Sequence, residues 1–167
     1  MDDLPEADRQ KTVKGSVTLK FLYGRMKITG RRDQREGIDF YSTAEPLAFK
    51  MVEWAGIRAY EKALEPSVGD GAIARYLPEH ARRTLIEPSM DLLSKAELRA
   101  TGSTAVNRTF EDYHIANKHH AIVMNPPFGS GGKTAMEHLA KAMKHLKPGG
   151  RIVARSEEHT SELQSRQ

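Results

Sequence analysis

From Lys62 to Ala154 short apolar runs alternate with stretches of helical periodicity, and few architectures accommodate that alternation. The strand candidates are Lys62 to Glu65, Arg83 to Glu87, Ala105 to Phe110, Ala121 to Met124 and Arg151 to Ala154. Between them Ala72 to Leu77, Met90 to Arg99 and Lys133 to Leu146 read as helical. Strands that are apolar without polar alternation belong in a parallel sheet covered on both faces, so the expected fold is α/β with a doubly wound sheet. One more helix is expected upstream, over Glu45 to Ile57. There Leu47, Met51, Val52, Trp54 and Ala55 recur at three-to-four spacing and Gly56 stands where a C-cap glycine would. Within residues 11 to 38 basic side chains surround an apolar stretch, Val17 to Tyr23, that fits strand or helix equally well.

Composition narrows the chemistry. The 167 residues, 38% of them hydrophobic, suffice for one domain with a packed core. With no cysteine, disulfides, thiolate catalysis and cysteine-ligated zinc are excluded. No apolar run approaches the roughly 18 residues of a membrane span, and Met1 to Gln10 is acidic and polar where a signal peptide would be basic and then apolar, so a cytoplasmic location is expected. A net charge of +4 is compatible with a polyanionic partner.

The first candidate ligand site is Glu65-Pro66-Ser67-Val68-Gly69-Asp70-Gly71, between a strand and a helical stretch, where glycines and free backbone amides let a ligand approach the main chain. The spacing is close to a dinucleotide loop, with Ala74 in place of the third glycine. Glu65, however, would repel a pyrophosphate and suits a ligand carrying an ammonium and a sulfonium, which favours S-adenosylmethionine. Glu87, closing the next strand, is placed to accept from ribose hydroxyls, and Asp112 from an adenine amino group covered by a neighbouring aromatic.

The sharpest signal is Asn125-Pro126-Pro127-Phe128, directly after the strand Ala121 to Met124. An exocyclic base amine is a poor nucleophile because its lone pair is conjugated with the ring. The Asn125 side-chain oxygen and the Pro126 carbonyl can each accept one amine hydrogen, which favours a tetrahedral nitrogen with its lone pair free. Pro126 and Pro127 stiffen the loop, and Phe128 offers a ring on which a base can stack.

With these motifs the chain resembles the S-adenosylmethionine-dependent amino-methyltransferases of DNA, from about Asp39 to Ala154. The resemblance implies a Rossmann-like class I methyltransferase fold acting on adenine N6 in DNA, as in restriction-modification. It also implies that Tyr41 and Thr43, in Phe40-Tyr41-Ser42-Thr43, contact the methionine part of the cofactor. By the same resemblance Glu65, Pro66, Gly69 and Gly71 form the first cofactor motif, Glu87 the ribose contact, Asp112 the adenine contact, and Asn125, Pro126, Pro127 and Phe128 the catalytic loop. Ala44 stands where relatives commonly carry proline, and Phe128 where the adenine-directed enzymes favour tyrosine, a feature shared with ribosomal-RNA guanine enzymes. Such enzymes have a seven-stranded sheet, so the chain is expected to carry five strands and to lack the last two, with the fifth left as an open edge. The segment from Arg155 onward reads as a translated sequencing-adapter scar. The expected organisation is a basic extension over 1–38, a truncated S-adenosylmethionine-binding catalytic domain over 39–154, and an artefactual tail over 155–167.

Other readings fit less well. Gly129 to Thr134 resembles a phosphate-binding loop, but Pro127 occupies its first glycine position, and a flexible lid with Lys133 opening the next helix is the better expectation. His114, His119 and His120 lack a matching carboxylate set for a metal, so no metal site is expected and the histidines are assigned to a solvated loop. The basic stretch Arg25 to Arg35 can touch phosphates or simply face solvent. Three function classes remain: a base-amine methyltransferase, a protein glutamine-amide methyltransferase using the same loop, and a nucleic-acid-binding fragment without catalysis.

Overall fold

The computed structural model describes residues 11–13, 17–22, 42–114, 118–127, 129 and 132–155. Tyr41, Phe128, the stretch Arg25 to Arg35 and residues 156–167 lie outside the described residues. In chain order the elements are β1 (Lys11–Val13), β2 (Val17–Leu22), α1 (Glu45–Ala55), β3 (Lys62–Glu65), a 3-10 turn (Ala74–Tyr76), β4 (Arg82–Ile86), α2 (Met90–Arg99), β5 (Thr104–Val106), β6 (His119–Met124), α3 (Lys133–Lys144) and β7 (Leu146–Arg155).

They build one sheet in the order β1-β2-β7-β6-β3-β4-β5. All neighbours are parallel except β1 and β2. Alternate residues face opposite sides, and each side has its own core. Ala63, Leu85, Ala121, Val123 and Val153 pack with Met51 and Val52 of α1 and Leu93 and Ala96 of α2. Leu64, Ile86, Ile122, Met124 and Ile152 pack with Leu139 and Ala142 of α3. The doubly wound α/β sheet is therefore as expected. The chain runs outward from β3 through β4 to β5, then returns to the other side of β3 with β6. This puts the topological switch point between the carboxyl ends of β3 and β6, where ligands bind in such sheets.

Local signals place several elements well. α1 ends at Gly56, in the left-handed region at φ 51°, and α2 spans Met90–Arg99 behind the N-cap Ser89. Other expectations need correction. The helix expected over Ala72 to Leu77 is only the 3-10 turn, because Pro78 forces Leu77 to extended backbone (ψ 129°) and leaves no room to propagate. His119 and His120 are not in a solvated loop: they begin β6, with His119 1% exposed and the His120 Nδ1 accepting from the Lys62 amide at 2.9 Å.

The edge beside β7 is not open. β2 pairs along it in parallel, from Thr18↔Arg151 to Leu22↔Arg155, and β1 follows antiparallel. The undecided stretch from Val17 is thus a strand. Among the described residues no helix is long and apolar enough to cross a membrane.

Candidate active site

Glu65 is the last residue of β3 and Asn125 the first after β6, and these strands pair through Ala63↔Ala121 and Leu64↔Ile122. That register sets Glu65 opposite Val123, so Asn125 follows two residues further on, on the same face of the sheet at the switch point. Glu65 is 1% exposed and its Oε2 has no hydrogen-bond partner. Burial, with Asp70 and Glu87 nearby, raises its pKa well above the usual carboxylate range. The Asn125 Oδ1 is likewise buried and unpartnered. An unpaired buried acceptor costs about 1–3 kcal/mol, so two at one strand junction mark a place arranged for something other than stability.

The glycine loop follows Glu65 directly, but most of its amides already have acceptors. Val68 N donates to Ile86 O (3.0 Å), Gly69 N to Glu87 Oε2 (3.0 Å), Gly71 N to Val68 O (3.0 Å) and Ala72 N to Asp70 Oδ1 (3.2 Å). The expected approach of a ligand to open backbone amides is corrected accordingly: this loop is no nest for a phosphate. Gly71 serves packing, since at φ 85° its Cβ would lie 2.7 Å from the Cα of Ala96 in α2. Pro66 is buried beside Glu65.

Glu87 is buried just past β4. Its Oε2 takes the Gly69 amide and its Oε1 the Ser89 amide (3.0 Å), leaving further lone pairs on both oxygens. Burial raises its pKa, and these two backbone donors partly oppose that rise. Asn107 steadies the same turn, donating to Glu87 O (3.1 Å) and Pro88 O (2.8 Å).

Thr43 is 6% exposed and its Oγ1 accepts from Asn125 Nδ2 at 3.0 Å. Pro126 is buried and Pro127 exposed. Asp112 is not drawn into the buried group: it is exposed and its Oδ2 accepts from Thr109 Oγ1 (2.9 Å), a local turn. The aromatics beside it, Phe110 and Tyr113, are core residues packed on His145. Lys133 opens α3 as expected, exposed and 3.9 Å from Glu137.

Asp70, Ser42 and Arg99 escape a reading of the sequence alone. Ser42 Oγ donates to both Asp70 oxygens (3.1 and 3.2 Å), and Arg99, at the end of α2, pairs with Asp70 Oδ2 at 2.7 Å. The one available signal is an acid between two loop glycines, and its partners lie about 28 residues away on either side.

The methyltransferase small domain family model matches residues 62–164, which include every strand from β3 onward. No curated protein matches the chain. Among solved structures it is similar to TrmN from Thermus thermophilus, at 22% identity and TM-score 0.53 over 64% of this chain and 36% of that one. It is similar to an rRNA methylase from Streptococcus thermophilus, at 13% identity and TM-score 0.52 over 66% of this chain and 70% of that one. It is also similar to coclaurine N-methyltransferase bound to N-methylheliamine and SAH, at 16% identity and TM-score 0.53 over 65% of this chain and 34% of that one. The chain thus spans little more than a third of TrmN and of the coclaurine enzyme. At such identities the likeness is one of fold.

Proposed function

The chain belongs to the methyltransferase small domain family, and from that premise we propose that residues 39–154 form a catalytic domain transferring a methyl group from S-adenosylmethionine to an exocyclic amine of a nucleic-acid base, with adenine N6 in DNA as the favoured target. The carrying observation is the pair of buried, unpartnered acceptors at the switch point, Glu65 Oε2 and Asn125 Oδ1.

The residues present fit this cofactor. Glu65 offers a desolvated carboxylate to a cation, and Glu87 keeps lone pairs for ribose hydroxyls. The Val68, Gly69 and Gly71 amides already have acceptors within the protein, which disfavours a pyrophosphate. When bound, the cofactor supplies an electrophilic methyl group on a sulfonium. The work of the chain is to bind and to position. Asn125 Oδ1 accepts one hydrogen of the substrate amine and the Pro126 carbonyl the other, which draws the nitrogen lone pair out of conjugation. Pro126, buried, and Pro127 hold those acceptors in place, and Phe128 is the proposed stacking surface for the base. The nitrogen gains the methyl group and releases one proton to solvent. Tyr41 and Thr43 complete the proposed cofactor pocket, and Asp112, exposed, would reach an adenine ring from the pocket rim.

Nucleic acid is favoured over protein by the basic N-terminal stretch and by the likeness in fold to TrmN and to an rRNA methylase. The deciding experiment is transfer of radiolabelled methyl from S-adenosylmethionine to unmethylated DNA, ribosomal RNA and a glutamine peptide. Labelled N6-methyladenine in DNA, lost by at least about 100-fold in Asn125→Ala, is the expected result. Label in guanine or in glutamine would redirect the target, and DNA retention without label would leave only a binding fragment.

A further inference from the structure

Thr43 and Asn125 are 82 positions apart, yet they share a partly buried hydrogen bond of 3.0 Å in which the Asn125 Nδ2 donates to the Thr43 Oγ1. An asparagine amide presents an acceptor on one side and a donor on the other, and either can face a substrate. Only one orientation works for an amine that must itself donate. By occupying Nδ2, Thr43 leaves Oδ1 as the free atom, and Oδ1 is indeed buried without a partner. Flipping the amide would leave a buried Nδ2 facing an amine donor while Oδ1 was spent on the Thr43 hydroxyl.

The residue before Thr43 is anchored as well. Ser42 donates to both oxygens of Asp70 in the glycine loop, and Arg99 holds the same carboxylate. Two consecutive residues thus fasten the segment leading into α1 to two loops, Ser42 to the glycine loop and Thr43 to the Asn-Pro-Pro loop.

We propose that Thr43 is a positioning residue which fixes the Asn125 amide with its oxygen toward the substrate amine, and that Ser42 with Asp70 holds Thr43 in place to do so. The proposal rests on the reaction above, but the contact can be tested apart from it. In 15N-labelled chain the Asn125 side-chain NH2 pair is assigned by its absence from Asn125→Asp, and its exchange with solvent is measured. In the wild type one proton of the pair is expected to be shifted and to exchange slowly. Thr43→Val, which keeps the shape and removes the oxygen, is expected to release it. Thr43→Ser is expected to retain it, and Ser42→Ala to have an intermediate effect. Backbone amide spectra that otherwise superimpose show that each variant folds.

In Thr43→Val at saturating S-adenosylmethionine, kcat on DNA is expected to fall by about 10-fold or more with KM for DNA little changed, and calorimetric titration reads any loss of cofactor affinity separately. An Asn125 amide that does not move in Thr43→Val overturns the role of Thr43. So does a variant whose whole defect is weaker S-adenosylmethionine binding, since Thr43 would then be a cofactor contact only. Absence of S-adenosylmethionine binding by the folded wild type instead overturns the proposed function.

Discussion

Glu61, just before β3, and Glu65, its last residue, lie four residues apart, and the protein treats them oppositely. Glu61 accepts from Arg151 on both oxygens, with Nη1 at 3.2 Å from Oε1, and from the Arg58 amide at 2.8 Å. The Arg151 hydrogen bond, together with the Arg58 amide and the charges of Arg151 and His120, lowers its pKa to about 2 against the opposing effect of burial. Arg151 in turn donates to Ala55 O and Gly56 O, so this end of the sheet ties α1, β3 and β7 together. At the other end Glu65 Oε2 is buried without a hydrogen-bond partner among the described residues, and burial, with Asp70 and Glu87 nearby, raises its pKa. The two flanks of β3 therefore hold a satisfied charge that fastens the fold and a buried carboxyl with an unpartnered oxygen. Binding sites are expected to sacrifice stability in this way.

Glu65→Gln breaks the comparison most severely. It removes a buried charge and is expected to raise Tm by a few degrees, most clearly at higher pH, while weakening S-adenosylmethionine binding by at least about 100-fold in calorimetric titration. The sign follows from the raised pKa: the wild-type carboxyl favours the fold while protonated, and that contribution is lost as pH rises through the folded value. A drop in Tm would make Glu65 a structural residue.

Proton linkage sharpens the same contrast. If Glu65 is protonated when free and ionised beside a cationic ligand, binding releases a proton, and affinity should rise with pH by up to about 10-fold per unit below the free-state pKa. Calorimetry in buffers of different ionisation enthalpy reads that proton directly, and a heat independent of buffer would contradict it.

The smallest effect is expected at the other end. Glu61→Gln should cost about 1 kcal/mol in urea unfolding, a modest figure because the pair reaches solvent, with S-adenosylmethionine affinity within about 2-fold. Since the Glu61 pKa is lowered, its contribution is present above pH 4.5 and fades as pH falls toward about 2. The two curves should therefore converge in acid, and a gap that stays constant would deny the ion pair its role.

Much of this architecture is legible along the chain, because the signals are local. The alternation of apolar runs and helical stretches locates the strands from β3 onward, Gly56 and Ser89 mark helix ends, and Asn-Pro-Pro after an apolar strand identifies a rigid loop at a strand end. Where the reading fails, a contact from elsewhere decides. Val17–Leu22 is a strand because β7 offers it an edge, and His119 is buried because its amide bonds His145 O at 2.8 Å and extends β6.

Residue types and their spacing thus define the α/β class, the two loops and the chemistry each can support. Which oxygen is left unpaired is another matter. Glu61 and Glu65 are the same residue type four positions apart, and only the folded chain brings Arg151 to the first and leaves an oxygen of the second buried without a partner among the described residues. Likewise only folding brings Thr43 to Asn125 across 82 residues. Desolvation and hydrogen-bond satisfaction depend on every group that reaches a point in space, and that is a property of the packed molecule.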